Sequence, residues 1–198
     1  MQGKTMSKNY WNSLYDKDEI SWDIGFPSPA LKEYIDQLTN KDIAILIPGC
    51  GNAYEAEYLL AQRFSNVTVI DIAPSLTAAL KNKFINEAGK SIKIVTGDYF
   101  NHDGTYNLIL EQTFLSALDP SIRPVYVDKM RSLLVKGGHL TGVLFSQVFG
   151  EEGPPFGGTL QEYKLMFSNK FRIKKLEPCY NSIETRNGSE VFINLVAK

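Results

Sequence analysis

The chain has 198 residues, 43% of them hydrophobic and 22% charged, with a formal net charge of -1. That length suits one domain with a real core. The near-neutral charge lacks the basic field by which nucleic-acid binders displace counterions from phosphates. The two cysteines, Cys50 and Cys179, are too few for a disulfide scaffold. The histidines His102 and His139 stand at no metal-ligand spacing. No metal is expected, and a reducing, cytoplasmic setting is. Met1–Thr5 holds no apolar region of a signal peptide. No run approaches the roughly 18 apolar residues of a membrane span. Neither a membrane nor a nucleic acid is an expected partner, and a monomer is expected rather than an obligate oligomer.

Residues 1–39 are rich in aromatics: Tyr10, Trp11, Tyr15, Trp22, Phe26 and Tyr34. Pro29 suits the first turn of a helix, and Leu31, Tyr34, Ile35 and Leu38 then recur at helical spacing. Asp42–Pro48 is continuously apolar through Ile43–Ile47 and reads as a buried parallel strand. Gly49-Cys50-Gly51 breaks it, and a helix follows over Tyr54–Gln62. Asn66–Ile72 is a strand, and Pro74–Ala88 a helix. Ile92–Thr96 and Tyr106–Leu110 are strands. Leu118-Asp119-Pro120 opens a helix running to Leu134. Lys136-Gly137-Gly138 is a turn, and His139–Phe145 is a strand. Glu151–Pro155 is a loop, and Thr159–Phe167 is helical. Phe171–Glu177 and Val191–Val196 are the last strands, with no crossover-length helix between them, so they pair antiparallel as a hairpin. This alternation predicts an α/β fold, a doubly wound, mostly parallel seven-stranded sheet with an antiparallel terminal hairpin. Residues 1–198 read as one domain, with a core over 40–198.

The strand–turn–helix at Pro48-Gly49-Cys50-Gly51-Asn52 is the strongest local signal. Glycines there let backbone approach a ligand. The dinucleotide fingerprint fails, because Tyr54 stands where its third glycine belongs. A nucleoside without phosphates fits better. Asp71 ends the second strand, 22 positions after Gly49, the offset of an acid that accepts from ribose hydroxyls. It also suits a cap before Pro74. Asp98 is a candidate acceptor for an adenine amino group, with Tyr99 or Phe100 covering the ring, or an Asx-turn residue. Glu111 and Gln112 end the fourth strand on the same edge and suggest contacts to an amino-acid tail, unless Glu111 is simply solvated.

These pieces give the sequence a likeness to a known family. The chain resembles the thiopurine S-methyltransferase superfamily, especially its plant-type thiol and halide methyltransferase branch. The matching stretches include Trp11-x-x-x-Tyr15, Ser21-Trp22-Asp23-x-Gly25, Pro48-Gly49-Cys50-Gly51, Asp71-Ile72 and Gly97-Asp98-Tyr99-Phe100. Further along stand Ala117-Leu118-x-Pro120-x-x-Arg123-Pro124, Leu133-Leu134-x-Lys136-Gly137-Gly138, Gly153-Pro154-Pro155-Phe156 and Ser182-Ile183-x-Thr185-Arg186. The resemblance implies a Rossmann-like core under an N-terminal helical lid. It implies S-adenosyl-L-methionine as cofactor, S-adenosyl-L-homocysteine as product, and a small-molecule methyl acceptor: a thiol, hydrosulfide, thiocyanate or halide, with thiopurine-like thiols included. Carried over, Trp11, Tyr15, Trp22, Gly49, Gly51, Glu55, Asp71, Ile72, Asp98, Tyr99, Glu111 and Gln112 are cofactor positions. Phe156, Arg186 and Glu111 are candidates for the acceptor site. Tyr15 stands where the family usually has Trp.

Methyl transfer from a sulfonium to a soft nucleophile is an in-line displacement with a neutral leaving group, so no catalytic acid is required. Alignment alone supplies about 7–11 kcal/mol. A nicotinamide-dependent oxidoreductase and a non-catalytic nucleoside-binding homologue remain as alternatives.

Overall fold

The structure is a computed structural model in which residues 6–147, 149–150 and 153–198 are described. Met1–Thr5, and Glu151 and Glu152 of the expected loop, lie outside the described residues. The N-terminal segment carries α1 (Lys8–Asp16), capped where Ser7 accepts from the Tyr10 N–H, and α2 (Pro29–Asp36), with Pro29 in its first turn. Then come β1 (Ile45–Pro48), α3 (Tyr54–Ala61), β2 (Val67–Asp71), α4 (Pro74–Lys83), β3 (Ile92–Thr96) and β4 (Tyr106–Gln112). The rest is α5 (Arg123–Leu133), β5 (Leu134–Phe145), α6 (Leu160–Ser168), β6 (Phe171–Pro178) and β7 (Glu190–Ala197).

The strands form one seven-stranded sheet in the order β3-β2-β1-β4-β5-β7-β6. The first five strands in that order run parallel, while β7 is antiparallel to both β5 and β6. Side chains alternate across β1. Ile45 and Ile47 pack with Leu31, Leu59 and Leu76 under α2, α3 and α4. Leu46 packs on the other face with Met130, Tyr163 and Phe167 under α5 and α6. Both faces are covered, which is why β1 reads as an unbroken apolar run. The chain winds outward in one direction from β1 and in the other from β4. The crevice at the carboxyl ends of those two strands is where an open α/β sheet takes its ligand.

Three local expectations change. Helix α4 stops at Lys83, because Phe84 turns inward to be buried and Gly89, at φ +77°, closes a bridge between Ala88 and Ile92. The expected helix from Leu118 begins as a 3-10 turn at Pro120–Ile122 and becomes α-helical only from Arg123. Lys136-Gly137-Gly138 is no turn between elements. It lies inside β5, as a bulge where the register with β4 shifts between Tyr106 and Leu108 and Gly137 takes φ +80°. Among the described residues no helix is long and apolar enough to cross a membrane.

Candidate active site

The turn after β1 carries Gly49 at φ +56°, Gly51 at +52° and Ala53 at +57°. A Cβ on Gly49 would stand 2.2 Å from Phe114 Cδ2, so that glycine is required by both its backbone and its neighbour. Asp71, at the end of β2, links the turn to α4. Its Oδ2 accepts from the Gly51 N–H at 3.4 Å and its Oδ1 from the Ala73 N–H at 3.0 Å. Asp71 is not the cap of α4, whose N-cap is Ala73 with no side-chain bond; it closes a turn just before the helix, and the carboxylate keeps further lone pairs. Burial pushes the Asp71 carboxyl up to about 6, against the lowering effect of those N–H groups.

Asp71 and the turn form one wall of a cavity of about 730 Å³ at the strand ends. The lining includes Trp11, Tyr15, Trp22, Gly49, Gly51, Glu55, Asp71, Ile72, Asp98, Tyr99, Gln112 and Arg186. The N-terminal segment forms the facing wall. Trp22 meets Trp11 and Tyr15 edge to face, with ring centroids 5.5 and 5.9 Å apart. Such faces attract a cation.

The segment is fastened at several points. Asn12 Oδ1 accepts from the N–H and the hydroxyl of Ser75, both at 2.9 Å, at the start of α4. Asp23 accepts from the Asn52 amide and, at 3.3 Å, from the Tyr54 hydroxyl. Glu55 Oε1 accepts from the Ser28 N–H at 2.9 Å, and burial raises the Glu55 carboxyl. Glu55 therefore holds the segment to α3 as well as lining the cavity.

On the opposite wall Asp98 accepts from the Phe100 N–H at 2.9 Å, the Asx-type turn that its sequence position also allowed. Tyr99 is 4% exposed and packs edge-on against Phe114 at 5.3 Å. Its hydroxyl is buried without a partner among the described residues.

Two expected site residues lie elsewhere. Glu111 is fully buried and does not line the cavity. Alternation along β4 turns it away from Gln112, so that it accepts from the Tyr126 hydroxyl and the Leu115 N–H. It is neither solvated nor in reach of a tail, and burial pushes its carboxyl up to about 7. Phe156 does not line the cavity either. Its N–H donates to the Ser116 carbonyl at 2.7 Å, which directs Pro154 and Pro155 inward instead.

Other lining residues escaped sequence reasoning, among them Phe114, Phe145 and Phe149, while Asn52 lies in the turn already singled out. The signal for Phe114 was Gly49 itself, a small residue demanded by a large partner across the sheet edge. Glu190, which opens β7 and pairs with Arg186, was also missed, and no periodicity marks the pair because a turn at Asn187-Gly188 separates the two. Cys50 lines the cavity with its thiol raised by burial, and both cysteines are free. Among the described residues no group of acidic, histidine and cysteine side chains can hold a metal.

A doubly wound sheet with one inserted antiparallel strand, a glycine turn after β1 and an acid ending β2 defines a Rossmann-like methyltransferase domain. A solved methyltransferase of this class shares the fold: 1,6-didemethyltoxoflavin-N1-methyltransferase of Burkholderia thailandensis, bound to S-adenosylhomocysteine, superposes with a TM-score of 0.77 at 16% identity, over 96% of this chain and 87% of that one. The family model for thiopurine S-methyltransferase matches residues 6–194, and the chain belongs to that family. It is an S-adenosylmethionine-dependent methyltransferase. Arabidopsis thaliana supplies two relatives. "Probable thiol methyltransferase 2" is 26% identical over 81% of this chain and 74% of its own length. "Thiocyanate methyltransferase 1" is 24% identical over 94% and 84%.

Proposed function

We propose that the cavity binds S-adenosylmethionine and delivers its methyl group to a small thiol. The observation that carries this reading is the pairing of two walls across one cavity: the Gly49–Asn52 turn with Asp71, and the rings of Trp11, Tyr15 and Trp22. Asp71 takes the ribose hydroxyls, Asp98 and Tyr99 the adenine, and Gln112 the amino-acid tail. The aromatic rings take the sulfonium face, with Glu55 behind them. When bound, the cofactor supplies an electrophilic methyl on a positively charged sulfur. In this reading residues 1–39 act as a lid on a 40–198 core within one domain.

Charge supports a thiol over a free anion. Glu19, Asp23, Glu55, Asp71 and Asp98 line the cavity. Arg186 is the one cationic side chain among its described lining residues, and it is already paired with Glu190. That field suits a sulfonium and gives thiocyanate or iodide, already charged in solution, no free cation, whereas a thiol enters neutral and ionises only afterwards. The acceptor reacts as its thiolate, so its proton leaves to solvent before the carbon–sulfur bond forms and the old one breaks. A free thiol has a pKa near 8.5, so the rate rises with pH toward that value.

Calorimetry with S-adenosylhomocysteine and NAD, followed by methylation of a panel of thiols, thiocyanate and iodide, tests this. A thiol is expected to give the highest kcat/KM. Tight adenosyl binding with thiocyanate or iodide turned over faster than every thiol would overturn the acceptor reading. Absence of adenosyl binding would overturn the whole of it.

A further inference from the structure

Strand β4 ends at Gln112, and the next residue is strained. Thr113 sits in the left-handed region at φ +56°, ψ 12°. A β-branched side chain there costs on the order of 1–2 kcal/mol, and glycine serves such positions without that cost. Three hydrogen bonds hold it. The Thr113 N–H donates to the Val143 carbonyl on β5 at 3.2 Å, and its carbonyl accepts from the Ser116 N–H at 3.0 Å. Its hydroxyl donates to Gln112 Oε1 at 3.1 Å.

The first two bonds would form equally with glycine at 113; only the third needs a hydroxyl. That bond occupies the amide oxygen of Gln112. The amide N–H donors have no partner among the described residues, and Gln112 and Thr113 both line the cavity. Strain of this kind persists where the surroundings over-determine it, and it clusters at ligand sites. The one cation among the described lining residues, Arg186, is already paired, so a ligand carboxylate placed here depends on neutral donors.

We infer that Thr113 is a positioning residue: its hydroxyl turns the Gln112 amide so that the N–H donors take the carboxylate of the cofactor's amino-acid tail. This rests on the reading of Gln112 as a cofactor contact. The test compares two ligands by calorimetry, S-adenosylhomocysteine and 5′-methylthioadenosine, which keeps the adenosine and thioether but lacks the tail. The variants are Thr113→Ser, Thr113→Gly and Gln112→Ala, with Thr113→Ala as a second hydroxyl-free variant should glycine unfold the loop.

Thr113→Gly is expected to bind S-adenosylhomocysteine about 10-fold more weakly, Thr113→Ser within 2-fold of wild type, and 5′-methylthioadenosine to be unaffected by either, on the scale of a lost neutral hydrogen bond. Wild-type affinity for S-adenosylhomocysteine in Thr113→Gly, or equal loss for both ligands, overturns the inference. So does a serine variant as weak as the glycine one. If Gln112→Ala weakens S-adenosylhomocysteine but Thr113→Gly does not, only the role of Thr113 fails. If Gln112→Ala binds it as wild type does, the tail contact itself is wrong.

Discussion

Arg186 donates to the Trp22 carbonyl at 2.7 Å and pairs with Glu190 at 3.3 Å, so one guanidinium joins the N-terminal segment to the connection between β6 and β7. The two side chains are only 12% and 5% exposed. Arg186, a candidate for the acceptor site on the sequence, is therefore largely buried and already paired. Arg186→Ala would leave Glu190 buried without its partner. Removing one partner of a buried pair costs about 3–5 kcal/mol. Urea unfolding should show a loss of that order, and proteolysis between α1 and α2 should accelerate. A loss below about 1 kcal/mol, well under that range, would mean that Glu190 finds water.

Asp71 has its carboxyl raised to about 6 by burial. Ribose hydroxyls donate to the charged form, so S-adenosylhomocysteine affinity should fall as pH drops below about 6, approaching tenfold per pH unit once most of the group is protonated. For the free protein the sign is opposite. A carboxyl raised in the folded state contributes most below its unfolded value, near 4, and loses that contribution as pH rises through about 6. Asp71→Asn should flatten the binding profile, and Asp71→Ala should weaken binding at least 10-fold at neutral pH, the scale of hydrogen bonds to a charged group. A dissociation constant unchanged within twofold would remove Asp71 from the ribose role.

The two glycines of the turn are not equivalent. Gly49→Ala places a methyl 2.2 Å from the Phe114 ring at φ +56°, whereas the nearest atom to a Cβ on Gly51, at φ +52°, is the Tyr15 hydroxyl at 3.6 Å. Both substitutions carry left-handed strain of about 1–2 kcal/mol, but only the first adds a clash. Thermal unfolding should find Gly49→Ala less stable than Gly51→Ala by at least about 1 kcal/mol, as expected for overpacking. Equal stabilities would show that Phe114 moves aside freely.

Glu111 is raised to about 7 inside the core. Its contribution to stability is greatest below its unfolded value of about 4.5 and is lost as pH climbs through about 7. Glu111→Gln keeps an acceptor for the Leu115 N–H, and its amide N–H donates to the Tyr126 oxygen, reversing a bond in which Tyr126 donates in the wild type. Its melting temperature should therefore vary less than wild type between pH 5 and pH 8, at values about those of the shift. Because Glu111 lies outside the cavity, saturated turnover should stay within about threefold, a difference under 1 kcal/mol. A large fall in kcat at unchanged stability would return Glu111 to the chemistry.

Much of this was legible in the chain. The apolar run Ile43–Ile47 and the glycines after it mark β1 and its turn, because burial on both faces leaves no alternation to confuse the reading. Asp71 was legible as a residue of the cavity wall, because it closes an apolar strand at a fixed offset from the glycine turn. Residues whose role depends on partners distant in sequence were not. Alternation alone could have told Glu111 from Gln112, but the sequence does not say which face of β4 looks at the cavity. Arg186 and Trp22 are 164 positions apart, so nothing local announces their bond. The bulge at Lys136–Gly138 imitates a turn because glycines serve both.

The place of β7 also bears on the order in which the protein is made. Synthesis delivers β6 before β7, yet β6 touches the sheet only through β7. Until residues 190–197 leave the ribosome, β5 has a bare edge along His139–Phe145 and β6 has nothing to pair with. The two strands at that edge, with Glu190 and the connection that carries Arg186, therefore join the sheet in a single late step, and an open apolar edge is a template for pairing with other chains.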